Sequence, residues 1–534
     1  MIQPDAPHPA VRPLQDAYRH GRIARRDFLR MLSWLGVQAA IMGGPAISTA
    51  SAMAPGMPKF GGTLRMSCPV EQMDNPSVSN WYEVANIFRN SLEYLTRIDA
   101  DNITRPYLAE SWRPSSDLRV WEFRLRRSVR WSNGDAFDSR DVAATIGMWL
   151  APGSESVNKT SFAMISDVEI VDAWTVRLHL SRPTIALPEM LFAPTCAILH
   201  RSFASSGKSW PEAPIGTGPY RLARLSVGEE AVLQRRDDYW GALPYLETLR
   251  FIDLGTNVST HLAALDGGQL DLLYKIDASD LPLATRLPGV QIISGHAAQT
   301  VCMRMQVDQE PFRDIRIRRA VQASADLEAI LRLGYAGAGI VATGCHAAPL
   351  QTDYVAIPAP KRDLDLARHL LRDAGHAEGI DLTLMVGNTQ GVWEQNTAQV
   401  LQQNCAEAGI RIHLDVIPAT EYLPIWNKVP FGLTYWAHRS LAMMTYDVAY
   451  RSSGAWNETH FADPAFDAAL DRAMSTPDPI MRDAAMQEAE TILQQAALFV
   501  QPYWMNKFTA ASAHVHGYRL NAGDCFDLAP VWLS

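Results

Sequence analysis

The chain has 534 residues, more than one ordinary core accommodates, so two or three domains are expected. Hydrophobic residues make up 47% and charged residues 20%, a globular balance that excludes a disordered or fibrous chain. The net charge of −9 argues against general nucleic-acid binding, which depends on Lys and Arg neutralising phosphates. Six cysteines, none in a C-x-x-C pair or beside histidines at zinc spacing, exclude a disulfide scaffold and argue against a metal or other cofactor. The sequence selects no disulfide pairing among them.

Residues 1–54 read as an export signal. Arg25-Arg26 stand before an apolar stretch that begins at Met31 and is broken by Ser33, Gly36, Gln38 and Gly43-Gly44-Pro45. It ends in Ala52-Met53-Ala54, an A-x-A cleavage pattern ahead of Pro55. The arginine pair marks the twin-arginine type. A retained anchor is the alternative, but a span needs roughly 20 mostly apolar residues and this stretch is short and interrupted. The first cysteine, Cys68, lies too far on to be a lipidated first residue. A soluble periplasmic protein, most simply a monomer, is therefore expected. The segment carries six arginines against three aspartates, so the remaining body would have a net charge of −12.

From Lys59 strands and helices alternate. Gly61-Gly62 precede an opening strand that starts at Thr63-Leu64. Val120, Glu122, Arg124 and Arg126 alternate with Trp121, Phe123, Leu125 and Arg127, the two-residue period of a half-buried strand. Asn133-Gly134 marks a turn, and Ser139 or Asp141 is placed to cap the helix carrying Val142, Ile146 and Trp149. Residues 167–180 read as a hairpin. Further on, Leu364, Ala367, Leu370, Leu371 and Ala374 have helical spacing, closed by Gly375. Ile380, Leu382, Leu384 and Val386 alternate as a strand, a helix follows from about Gly391 to Ala408, and Ile410, Ile412, Leu414 and Val416 alternate again. Strand, helix, strand with short joints is a βαβ unit and predicts a parallel sheet in the second half. A helix over about 480–497 follows the Thr476-Pro477-Asp478-Pro479 break.

Several stretches in a fixed order carry a family resemblance. They are Trp121-Glu122-Phe123-Arg124-Leu125-Arg126 leading to Trp131-Ser132-Asn133-Gly134, and Ile215-Gly216-Thr217-Gly218-Pro219-Tyr220-Arg221 followed by Asp237-Asp238-Tyr239-Trp240-Gly241. Leu265-Asp266-Gly267-Gly268-Gln269-Leu270-Asp271 and Pro311-Phe312-Arg313-Asp314 complete the set. Through nearly all of its mature length the chain resembles the bacterial extracellular solute-binding proteins of family 5, the oligopeptide, dipeptide and nickel-binding type. The resemblance implies an α/β, two-lobed periplasmic binding protein of the class C (type II-like) kind. Lobe I would span 60–296 with an extra α+β subdomain at about 98–214, lobe II 297–504, and 505–534 would return to lobe I. It also implies capture of a peptide or peptide-like molecule by hinge closure and delivery to an ABC permease in the inner membrane.

Site candidates follow from the same resemblance. In lobe II, Trp436, His438, Arg439, Tyr446, Asp447, Arg451, Trp456 and Asn457 combine aromatics with charge and little apolar periodicity. An aspartate of this region can bind a peptide's amine in the family, and Asp447 is the nearest candidate. The usual Trp-x-x-Asp-x-x-Asp-Pro pattern is absent, and His438 and Arg439 follow the tryptophan instead. That raises an anionic ligand (opine- or sugar-acid-like) or a metal chelate as alternatives. In lobe I, Met73, Trp81 and Tyr82, with Glu71, fall where the family's opening loop reaches the cleft. For any one of these residues, packing, a solvated loop or a salt bridge is the competing reading.

Gly216-Thr217-Gly218 lacks the Lys-Ser/Thr of a phosphate loop and reads as a structural turn. Trp131 and Trp240 read as packing, and His346 beside Cys345 as structural rather than metal-binding. There is no G-x-S-x-G elbow, no H-E-x-x-H, and no Ser, His and Asp set singled out by spacing, so a hydrolase is disfavoured.

Overall fold

The structure, a computed structural model, describes residues 57–78 and 82–534. The expected export segment and Trp81 lie outside those residues. Among the described residues no helix is long and apolar enough to cross a membrane. The chain divides into two units, one running to Gly295 and resuming at Phe508–Ser534, the other His296–Lys507.

The first unit opens with β1 (Thr63–Ser67) and the short helix α1 (Tyr82–Phe88). An antiparallel sheet follows, built from β2 (Ala109–Pro114), β3 (Val120–Leu125), β4 (Ile165–Asp172) and β5 (Thr175–Leu180) in the order β2-β3-β5-β4, with α2 (Ser139–Leu150) between β3 and β4. Strands β6 (Tyr220–Ser226), β7 (Glu230–Arg235) and β8 (Thr248–Ile252) then return to β1, which pairs in parallel with β8. The expected alternation in β3 is realised: Trp121, Phe123 and Leu125 are fully buried. Across the ladder Trp121 meets Leu178 and Phe123 meets Val176. Each such side chain contributes about 1.5–3 kcal/mol on burial.

The cap of α2 falls one residue earlier than Ser139. Asp138 has extended backbone, its carboxylate accepts the Arg140 N–H at 2.9 Å, and its own N–H donates to Asp141 at 3.0 Å. Asp141 is thus the reciprocal half of a capping box. It also accepts the Trp131 indole N–H at 3.1 Å, which fixes Trp131 in the core.

Gly216 and Gly218 are glycines because another segment of backbone presses on them. A Cβ on Gly216 would lie 2.0 Å from the Ser91 carbonyl oxygen, and one on Gly218 2.7 Å from the Ser91 carbonyl carbon. The buried Arg236 donates to both glycine carbonyls. This is a packing turn.

The second unit is built on a seven-stranded mixed sheet. Its longest strand, β9 (Val290–Met305), continues from the first unit. After α3 (Leu364–Asp373) come β10 (Ile380–Val386), α4 (Trp393–Ala406) and β11 (Ile410–Val416), and β10 and β11 pair in parallel from Ile380↔Ile410 to Val386↔Val416. The expected βαβ unit is present, with a helix two residues shorter at each end. Glu394 causes the late start, since its carboxylate reaches back to the N–H groups of Thr389 and Gln390. Strand β12 (Phe431–Trp436) runs antiparallel to β9 and parallel to β10. Helices α5 (Ala442–Ala449), α6 (Pro464–Ser475) and α7 (Pro479–Ala496) follow, and β13 (Tyr503–Ser512) leads back into the first unit.

All six cysteines are buried and none forms a disulfide.

Candidate functional site

Strand β12 delivers the first candidate. Gly432 lets it pass close to its neighbours, because a Cβ there would lie 2.7 Å from the Tyr422 hydroxyl and 2.8 Å from Arg304. Arg304 and Glu458 form an ion pair at 2.9 Å with essentially no exposure. Arg304 also donates to the carbonyls of Val429 and Trp426. The other lone pairs of Glu458 are filled by the Thr434 hydroxyl at 2.5 Å and the Trp436 indole N–H at 2.8 Å. A buried charge needs this degree of satisfaction, and one result is that Trp436 has a fixed orientation.

Beyond Trp436 the chain turns through residues 437–441 into α5. The buried carboxylate of Asp353 accepts the N–H groups of Ala442 and Met443 at 2.9 and 2.8 Å, and Gln351 donates to the Arg439 carbonyl at 2.7 Å. This distant loop therefore holds both the start of α5 and the backbone of Arg439. The Arg439 guanidinium lies over Trp456, 5.2 Å from the ring centroid. Trp456 is 47% exposed, an unusual degree for an indole, and its ring sits 6.1 Å from that of Trp436. Arg439 and Trp456 thus form a solvent-facing cationic and aromatic pair, backed by the buried Trp436.

The remaining candidates separate from that surface. His438 is buried, and its Nδ1 accepts the Ala298 N–H at 3.0 Å. Burial, reinforced by Lys507 and Arg439, holds its imidazole down to about 3, so it is neutral and supplies no positive charge to a ligand. Tyr446 is fully buried, packed between Tyr450 and Phe466. Asp447 pairs with Arg451 at 2.7 Å, and Arg451 also meets Asp471 at 2.8 Å. Asn457 donates to the carbonyls of Arg451 and Phe461, a turn-forming role. In the first unit Met73 is buried, Tyr82 begins α1 half-buried and Glu71 is exposed.

His346 is 2% exposed, bonds the Tyr450 hydroxyl through Nδ1 at 2.9 Å, and is held by burial down to about 3. Among the described residues no group of His, Cys, Asp and Glu could hold a metal ion. Trp240 is only half-buried, with its indole N–H on Glu93 at 2.8 Å. Sequence reasoning missed Glu458, Arg304, Gln351 and Asp353. Only Glu458, two residues past Trp456, stood near a recognised motif.

Residues 104–458 match the family model described as bacterial extracellular solute-binding proteins, family 5 Middle. The chain is similar to the glutathione-binding protein GsiB of Salmonella paratyphi A, 24% identical over 451 residues, covering 81% of this chain and 87% of GsiB. Among solved structures it is similar to the periplasmic binding protein DppA of Helicobacter pylori in complex with the peptide STSA. There the TM-score is 0.74 at 21% identity, over 89% of this chain and 98% of DppA. It is equally similar to AgaA of A. tumefaciens R10 in complex with agropinic acid, with a TM-score of 0.74 at 22% identity, over 89% and 99% of the two chains. Both likenesses concern the α/β fold, which is that of family 5 periplasmic binding proteins.

Proposed function

The chain belongs to the bacterial extracellular solute-binding proteins of family 5, solute-binding components of ABC importers and not enzymes, and from that premise we propose that its solute carries a carboxylate. Arg439 would meet that carboxylate while Trp456, backed by the buried Trp436, packs against the solute body. The observation that carries this reading is the Arg439 guanidinium stacked over a half-exposed Trp456. A charge-assisted bond from arginine to carboxylate is stronger than a neutral one and can be bidentate, and the aromatic face beneath keeps the guanidinium oriented.

An amine-binding role for Asp447 has less support, since its carboxylate already takes Arg451 at 2.7 Å. This reading covers peptidic and non-peptidic solutes alike. GsiB is named for glutathione, DppA was solved with a peptide and AgaA with agropinic acid, and each of these offers a carboxylate. Residues 1–54 would direct export to the periplasm by the twin-arginine route. Closure would bend the two strands that pass between the units, β9 and β13, and the closed form would hand the solute to the permease.

Native mass spectrometry of protein purified gently from periplasm tests the reading. A co-purified mass that bears a carboxylate, lost in Arg439→Gln and kept in Asp447→Ala, is expected. A solute without an acidic group, or one retained by Arg439→Gln and lost in Asp447→Ala, would overturn it.

A further inference from the structure

The first unit contains a cavity of about 600 Å³ that none of the candidates above lines. Four arginines face it, Arg89, Arg97, Arg126 and Arg519, against two aspartates, Asp99 and Asp527. In a chain of net charge −9 this is a local reversal of sign, of the kind that concentrates anions.

Arg89 is the informative member. It follows α1 directly and is 8% exposed. Its Nη2 donates to the Phe192 carbonyl at 3.1 Å, whereas Nε and Nη1 have no hydrogen-bond partner. The rings of Tyr94 and Phe192 lie 4.4 and 4.3 Å from the guanidinium. They attract the cation without neutralising it. Burial works against its charge, and the neighbours that most favour it are Cys525, Tyr94, Tyr82 and Cys196, thiols and phenols that are uncharged at neutral pH. A buried arginine in such surroundings is strongly disfavoured unless an anion sits nearby.

Two of the other cations on the wall are engaged, and Arg519 is exposed. Arg97 pairs with Asp99 at 3.1 Å. Arg126 donates to the Tyr107 carbonyl at 2.5 Å and lies 5.1 Å from the Trp240 ring centroid. Beneath them Glu93 accepts the Trp240 indole N–H at 2.8 Å and the Tyr239 hydroxyl at 2.7 Å. Trp240 is therefore held in place, with the Tyr107 ring 6.4 Å away. The cavity has a preset aromatic wall and, in Arg89, a buried cation with two unsatisfied guanidinium nitrogens.

We propose that this cavity binds a small carboxylate-bearing organic molecule, its charge countering Arg89 and its body packing on Trp240 and Tyr107. The site is independent of the reading given for Arg439. It is formed within one unit by segments far apart in sequence, the turn after α1 and the C-terminal residues 517–530.

The test is isothermal titration of the full-length protein carrying Arg439→Gln, with benzoate as the probe and chloride at equal ionic strength as the control. Benzoate should bind where chloride does not. Adding Arg89→Met should weaken it about tenfold or more, the size of one charge-assisted bond, while Arg89→Lys keeps most of the affinity. Equal affinity with and without Arg89→Met, or no benzoate binding, overturns the proposal. Should Arg89→Met not fold, hydrogen exchange on the unmodified protein decides it. Benzoate must then slow exchange in residues 89–100 and 519–528, and unchanged exchange there sinks the proposal. Neither result depends on whether the Arg439 reading is correct.

Discussion

The indole N–H of Trp436 ends on the carboxylate of Glu458, 2.8 Å away. That bond makes the orientation of Trp436, the buried ring behind the exposed Trp456, depend on a buried ion pair, because the same carboxylate holds Arg304 at 2.9 Å.

Glu458→Gln should therefore act twice. It leaves Arg304 charged and uncompensated in the core, which costs about 3–5 kcal/mol, read as a lower urea midpoint. It also loosens Trp436, so solute affinity should fall more than in a variant of equal stability mutated elsewhere in the second unit. Unchanged stability would mean that the pair is not the buried hub described.

Trp456→Ala should weaken solute binding about tenfold while leaving the unfolding midpoint within about 0.5 kcal/mol of wild type, as befits an exposed side chain. A fluorescence titration paired with chemical denaturation checks both halves. A large loss of stability would reassign Trp456 to packing.

Two buried histidines give stability a definite acid dependence. His346 and His438 are held by burial to about 3, against an ordinary 6.5. Between these values the unfolded chain takes up protons that the folded chain refuses. Their contribution is thus complete above pH 6.5 and declines as pH falls towards 3. Glu394 acts with opposite sign: burial raises it from 4.5 to about 7, so its contribution is present below 4.5 and lost as pH rises through 7. Unfolding midpoints measured from pH 6.5 to 4 should decline less steeply in His346→Gln than in wild type. Identical slopes would show that His346 titrates normally.

Gly216→Ala should destabilise the first unit by about 2 kcal/mol or more, since its Cβ would meet the Ser91 carbonyl oxygen at 2.0 Å. Solute affinity of the folded fraction should not change. Phosphate binding that disappears with this substitution would restore the ligand-loop alternative for Gly216-Thr217-Gly218.

What could be read in advance was local and periodic. The unit from Ile380 to Val416 was legible because one face of β10 is buried, with Ile380, Leu382, Leu384 and Val386 inside and Asp381 outside, so composition repeats with the backbone period. Trp121, Phe123 and Leu125 were legible for the same reason. Asp138 was missed as a cap because Ser139 and Asp141 are equally plausible cap residues by type, and only the extended backbone at Asp138 separates them. Within the candidate site, Trp456 and Tyr446 looked alike in sequence. Only folding shows that one faces solvent and the other lies against Phe466. Arg304 and Glu458 are 154 positions apart, and Asp353 reaches Met443 across 90. No spacing rule spans such distances.

Six cysteines lie buried and none is in a disulfide, so no covalent cross-link contributes to the stability of this chain. Its thermal midpoint should be the same with and without a reductant, and it can reach its native state on either side of a membrane that separates reducing from oxidising surroundings. The same thiols should stay silent towards a water-soluble thiol reagent until the fold opens, which makes them a built-in clock for unfolding.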